Sequence, residues 1–167
     1  ARMPAIFLPH GGGPWPWMPD QATAYQRMRA YLEGITAGLP TPPSAVLIIS
    51  AHWERPRATV QASPKPPMLY DYSGFPADTY RVQWPAPGAS ELAEEVARML
   101  EGGGVGAALD PERGYDHGAF VPMALIDSKA SIPTLQLSLL DSLDPEAHLR
   151  IVALLSPLRS RGVLLIG

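Results

Sequence analysis

The sequence predicts an α/β fold: a central, mostly parallel sheet flanked by helices, in a single domain spanning residues 1–167. Three observations carry that reading. Five short runs, at residues 5–8, 45–50, 58–62, 132–137 and 162–166, have the apolar character of buried strands. Segments with helical spacing of apolar residues fall between several of them, and strands that alternate with helices favour a parallel sheet. The chain has 167 residues, 46% hydrophobic and 17% charged, which suits one globular domain with a core of its own.

Each element has its own signal. Ala5-Ile6-Phe7-Leu8 is a short apolar run, too short for the core of a signal peptide. Residues 21–39 predict a helix, because Tyr25, Met28, Leu32, Ile35 and Leu39 recur at steps of three and four and share a face. Asp20 is placed to cap it. Ala-Val-Leu-Ile-Ile-Ser at 45–50 is apolar without alternation, as in a strand covered on both faces. Val60 centres the run at 58–62. Residues 63–87 hold six prolines and several aromatics, and a segment of that length is either functional or ordered by packing. A helix over 90–101 turns Leu92, Val96 and Met99 inward and stops at Gly102-Gly103-Gly104. After the strand at 132–137, Asp144 caps a third helix with Pro145 at its first position. Its apolar face is Ile151, Val152, Leu155 and Leu158, and Pro157 is expected to kink it near its end. The last strand, 162–166, stops at the edge where α/β sheets bind ligands, so the chain is expected to be the major N-terminal part of a longer catalytic domain.

Composition excludes several classes. A net charge of −3 and a pI of about 5.8 offer no basic face to nucleic acid or to a membrane surface. No apolar run approaches the roughly 18 residues of a membrane helix. The absence of cysteine removes disulfides, thiolate metal sites and thiol catalysis. The expected location is the cytoplasm.

Chemistry is concentrated in the histidines. His10 follows the first strand and opens a Gly11-Gly12-Gly13 loop, and His52 follows the strand at 45–50. If those strands are parallel neighbours, both imidazoles face one crevice. Neutral imidazole is a common metal ligand, so the pair makes half of a metal site. Taken singly, a His at a strand end is usually a hydrogen-bonded loop residue. His117 sits in Tyr115-Asp116-His117-Gly118, and His148 lies within the third helix as an expected surface residue. The glycines either cradle an oxyanion or let the loop approach a site closely. No Gly-x-Ser-x-Gly, Gly-x-Gly-x-x-Gly, Walker or His-Glu-x-x-His pattern accompanies them. Tyr70, Tyr72, Phe75 and Trp84 either line a pocket for a flat ring or cover the core.

Five segments occur in a telling order: Pro9-His10-Gly11-Gly12-Gly13-Pro14, Ile49-Ser50-Ala51-His52-Trp53-Glu54, Tyr70-Asp71-Tyr72-Ser73-Gly74-Phe75-Pro76, Arg113-Gly114-Tyr115-Asp116-His117-Gly118-Ala119-Phe120-Val121-Pro122, and Gln136-Leu137-Ser138-Leu139. Together they resemble the class III extradiol ring-cleavage dioxygenases, on the DOPA 4,5-dioxygenase-like branch. The resemblance implies non-haem Fe(II), with zinc often found in the site, and a catechol-type substrate with O₂. It implies His10 and His52 as metal ligands and His117 as the catalytic histidine beside the substrate. Tyr72, Phe75 and Asp116 are expected to bind substrate, with Asp116 orienting His117 or making a structural hydrogen bond. It also implies that the remaining metal ligand and the base lie beyond Gly167. A zinc-dependent hydrolase and a non-catalytic metal-binding homologue are the alternatives. Oligomeric state is not indicated.

Overall fold

The computed structural model describes all 167 residues. A six-stranded sheet runs through it, built from β1 (Ala5–Ile6), β2 (Ala45–Arg55), β3 (Ala58–Gln61), β4 (Ala107–Asp110), β5 (Thr134–Leu140) and β6 (Val163–Ile166). The strand order is β1-β6-β2-β5-β3-β4, and every pairing is parallel except β3 with β5. The helices are α1 (Gln26–Gly34), α2 (Ser90–Gly102), α3 (His117–Ile126) and α4 (Pro145–Leu155). No helix is long and apolar enough to cross a membrane.

The unbroken apolar run of β2 is explained by cover on both faces. Val46 and Ile48 belong to one core with Leu32 of α1 and Phe120 and Met123 of α3. Ala45 and Leu47 belong to the other, with Val96 and Leu100 of α2 and Ile151 and Leu155 of α4. Leu137 is fully buried at the centre of β5, opposite Ile49 on one side and Val60 on the other. Leu137→Ala is expected to cost about 2–5 kcal/mol, the usual range for a large-to-small change in a core. Urea unfolding checks it, as a lower midpoint with an unchanged slope.

Several elements depart from expectation. The helix over 21–39 shrinks to α1, followed by a tight turn through Gly38. Tyr25 stays outside the helix because its ring stacks on Trp15, 4.6 Å between centroids, and its hydroxyl accepts from the Gly12 N–H. Asp20 caps nothing. The first strand keeps only Ala5 and Ile6, while Phe7 is almost fully exposed. Pro157 ends α4 rather than kinking it: the chain continues as a 3-10 turn over Ser156–Arg161, and Val152 faces outward. The Asp144 cap forms as read, accepting from the Glu146 N–H at 3.0 Å.

Two elements gave no sequence signal. β4 is a four-residue edge strand. α3 carries Pro122 in its interior and is apolar on nearly all sides, so it shows no amphipathic period. The proline-rich stretch over 63–87 is ordered by packing. Leu69 and Tyr115 bond through their main chains, and Trp84 Nε1 donates to the Asp127 carbonyl at 2.9 Å. Gly88 closes the stretch so tightly that a Cβ there would lie 1.8 Å from the Ser63 carbonyl oxygen.

Candidate active site

Three histidines from distant parts of the chain meet at the C-terminal side of the sheet: His10 past the end of β1, His52 within the second half of β2 and His117 at the start of α3, with β6 lying between β1 and β2, which are therefore not neighbours. His10 and His52 bring their Nε2 atoms within 2.8 Å. His117 closes the group, its ring centroid 4.0 Å from that of His52 and 4.9 Å from that of His10. One nitrogen from each ring lies within 4.8 Å of the others.

Local sequence explains each position. The His10 loop is clamped by an aromatic pair: Trp15 Nε1 donates to the His10 carbonyl at 2.6 Å, and Tyr25 stacks behind it. Gly11 and Gly13 have φ of +79° and +58°, and Cβ atoms there would strike Trp15 and Phe75 at 2.5 and 2.4 Å. The glycines therefore serve close approach and a left-handed backbone. In β2, pairing with β5 runs to Ile49 and resumes at Glu54 after a register shift. Within that irregularity Ala51 and His52 are both exposed, which frees the imidazole from the sheet. His117 is the first residue of α3, whose N-cap Asp116 accepts from the Ala119 N–H at 3.1 Å.

His10 favours the neutral imidazole. His10 is held below the ordinary imidazole range, first by burial and then by like charge on His117 and His52. Its Nδ1 is buried without a hydrogen-bond partner, which leaves Nε2 as its engaged nitrogen. Nitrogens that share one ion through bonds of about 2.1 Å stand about 3–4 Å apart, the scale of this cluster. The donor set therefore fits a borderline metal ion.

Sequence reasoning missed Asp71. Its Oδ1 accepts from both the main-chain N–H and the Nδ1 of His117, at 2.9 and 2.8 Å. Burial pushes the Asp71 carboxyl up, but the hydrogen bonds from His117 outweigh it and hold the group below the usual carboxylate range. Its only trace in the sequence is an acid between two tyrosines, and spacing alone does not connect residue 71 to residue 117.

Asp116 lies elsewhere than expected. It is completely buried, and its two oxygens accept from Ser50 Oγ, the Ala119 N–H, Arg113 Nη2 and Gln136 Nε2. With four donors on it, the carboxylate has nothing to offer a substrate, and the partner that orients His117 is Asp71. Asp116 instead ties the start of α3 to β2 and β5. Tyr72 stands 5.8 Å from the His117 ring, and Phe75 stands 5.4 Å from Tyr72 and packs against Gly13. The Tyr72 hydroxyl donates to the Thr79 carbonyl at 2.7 Å, and burial pushes its pKa up to about 12. It presents a neutral ring to the site.

His148, expected on the surface, is half-buried and apart from the trio. Its Nδ1 donates to the Asp144 carbonyl at 2.7 Å, and its Nε2 accepts from the Leu140 N–H at 3.0 Å. An open, mostly apolar trough of about 660 Å³ runs from His10 to His148 along the ends of β1, β6 and β2.

Comparison with known proteins adds a second line. Residues 5–154 match the model of a family described as the catalytic LigB subunit of aromatic ring-opening dioxygenase. The dioxygenase tasH of Hapsidospora irregularis is 36% identical over 98% of this chain and 52% of its own length. A 4,5-DOPA dioxygenase extradiol of Beta vulgaris is 37% identical over 97% of this chain and 59% of its own. A crystal structure of an uncharacterized protein from Escherichia coli K12 superposes with a TM-score of 0.71 at 31% identity, covering 99% of this chain and 59% of that one. The chain spans about half the length of the curated relatives it matches.

Proposed function

Because the chain belongs to the LigB family of aromatic ring-opening dioxygenases, among the DOPA-dioxygenase-like extradiol enzymes, we propose that it carries the histidine site of an Fe(II)-dependent extradiol dioxygenase that cleaves a catechol-type ring with O₂. The observation that supports this most is the meeting of His10, His52 and His117 at the carboxyl edge of the sheet, where α/β domains place their ligands.

In this reading His10 and His52 hold the iron. Bound there, Fe(II) supplies acidification of the ring hydroxyls and a path for electrons between the ring and O₂. The remaining work falls to the chain. His117, within reach of both ligands, hydrogen-bonds the ring oxygens of the substrate. Asp71 on Nδ1 leaves Nε2 as the accepting nitrogen. Tyr72 and Phe75 pack against the aromatic ring of the substrate. The Trp15–Tyr25 clamp keeps His10 from swinging away, so both ligands are in place before substrate arrives.

The test is anaerobic reconstitution with Fe(II), followed by oxygen uptake with a panel of catechols. Uptake with a yellow ring-opened product is expected. The zinc-loaded protein should show none, since zinc has no redox chemistry. Iron-loaded protein that takes up no oxygen with any catechol would overturn the proposal, and ester or amide hydrolysis with zinc would point to a hydrolase.

A further inference from the structure

We propose that Asp71 is a positioning residue that locks His117 in the Nδ1–H form and holds its ring in place. The inference deepens the reading of His117 as the catalytic histidine beside the substrate, and in its consequence for turnover it rests on that reading.

The geometry is specific. Asp71 Oδ1 takes two hydrogen bonds from one residue, the main-chain N–H of His117 at 2.9 Å and Nδ1 at 2.8 Å. Gripping both fixes the side-chain torsions of His117 as well as the first turn of α3. An ionised carboxylate only accepts, so the proton between Asp71 and a neutral His117 belongs to Nδ1. The lone pair is then on Nε2, on a ring set edge-on to His10 and tilted over His52. A free histidine side chain favours the opposite, Nε2–H form, which would turn a donor toward the place where a substrate hydroxyl is to be accepted.

Asp71 is itself held firmly. The two tyrosines beside it are pinned by their hydroxyls, Tyr70 to the Val82 carbonyl at 2.5 Å and Tyr72 to the Thr79 carbonyl at 2.7 Å. Its own N–H donates to the Leu69 carbonyl at 3.1 Å. This explains why an acid stands between two aromatic residues in that stretch: the rings anchor the backbone, and the carboxylate reaches across to α3. Such partners fix the tautomer and orientation of histidines, and for the histidines that ligate metals removing one commonly costs about 10–100-fold.

The experiment is a long-range ¹H–¹⁵N correlation spectrum of the histidine rings in the metal-free chain, at a pH above the ordinary imidazole range. The wild type is expected to show His117 with a protonated Nδ1 and an unprotonated Nε2. In Asp71→Ala the Nδ1–H form should fall below about half of the population. Asp71→Asn, whose amide oxygen still accepts, should retain most of it. Wild-type His117 protonated on Nε2 would overturn the proposal without any variant. So would a folded Asp71→Ala whose His117 keeps the Nδ1–H form unchanged. In iron-loaded protein that cleaves catechol, Asp71→Ala should lower kcat about 10–100-fold with KM within about twofold. The tautomer result upholds the positioning role whether or not catechol is turned over, so absence of turnover alone would count against the dioxygenase reading only.

Discussion

His52→Ala is expected to abolish metal uptake, while His148→Ala leaves it intact. His52 shares its Nε2 contact with His10 and its ring makes no other hydrogen bond, so its removal takes away half of the nearest nitrogen pair. Exchange of a residue that merely supports a ligand typically costs about 10–100-fold in affinity, and loss of a ligand itself should exceed that. His148 is engaged at both nitrogens with the main chain around the start of α4. Its replacement should cost about 1 kcal/mol of stability and no metal. Metal content after dialysis, measured alongside the unfolding midpoint, separates the two. Equal metal in both variants would remove His52 from the site.

The second large effect concerns stability. Asp116→Ala is expected to cost about 3–5 kcal/mol, because it strands the Arg113 guanidinium, the Gln136 amide and the Ser50 hydroxyl in a buried setting. That is a large share of the roughly 5–15 kcal/mol that holds a domain of this size together. Arg113 has little alternative: its guanidinium lies over the Trp53 ring at 4.7 Å, and its Nε has no partner even now. Asp116→Asn should cost less, since one oxygen still accepts from Ser50 and the Ala119 N–H. Denaturant unfolding of the two variants checks the order. A loss under about 1 kcal/mol for Asp116→Ala would show that the network contributes little.

Asp116 also marks the limit of what the sequence discloses. Its neighbour His117 faces the other two histidines, but a residue adjacent in the chain can point the opposite way. At a helix start, Asp116 turns back as a cap while His117 turns out. His10 and His52 were legible because both stand toward the C-terminal ends of strands in one parallel sheet, although β6 separates β1 from β2 and His52 is still within β2. Asp71 was not, since its meeting with His117 depends on how a proline-rich segment folds over α3. The fold follows the same division. β2 and β6 announce themselves by unbroken apolar runs. α3, which positions His117, is buried on nearly every side and contains a proline, so no period reveals it. The start of α1 was misplaced because the Tyr25 ring serves the His10 loop rather than the helix, a tertiary demand that no local propensity encodes.

The placement of β1 at the sheet edge has a kinetic consequence. Its only partner is β6, more than 150 residues later in the chain. The segment bearing His10 is therefore made more than 150 residues before the strand it pairs with. Strands joined at such a distance close slowly, because the entropy of a long loop is lost before any contact rewards it. His52 and His117 can be positioned while β1 still wanders, so a two-histidine state should precede the complete trio. Metal supplied early in refolding would meet that partial site first, and loading after folding should give more homogeneous protein than loading during it.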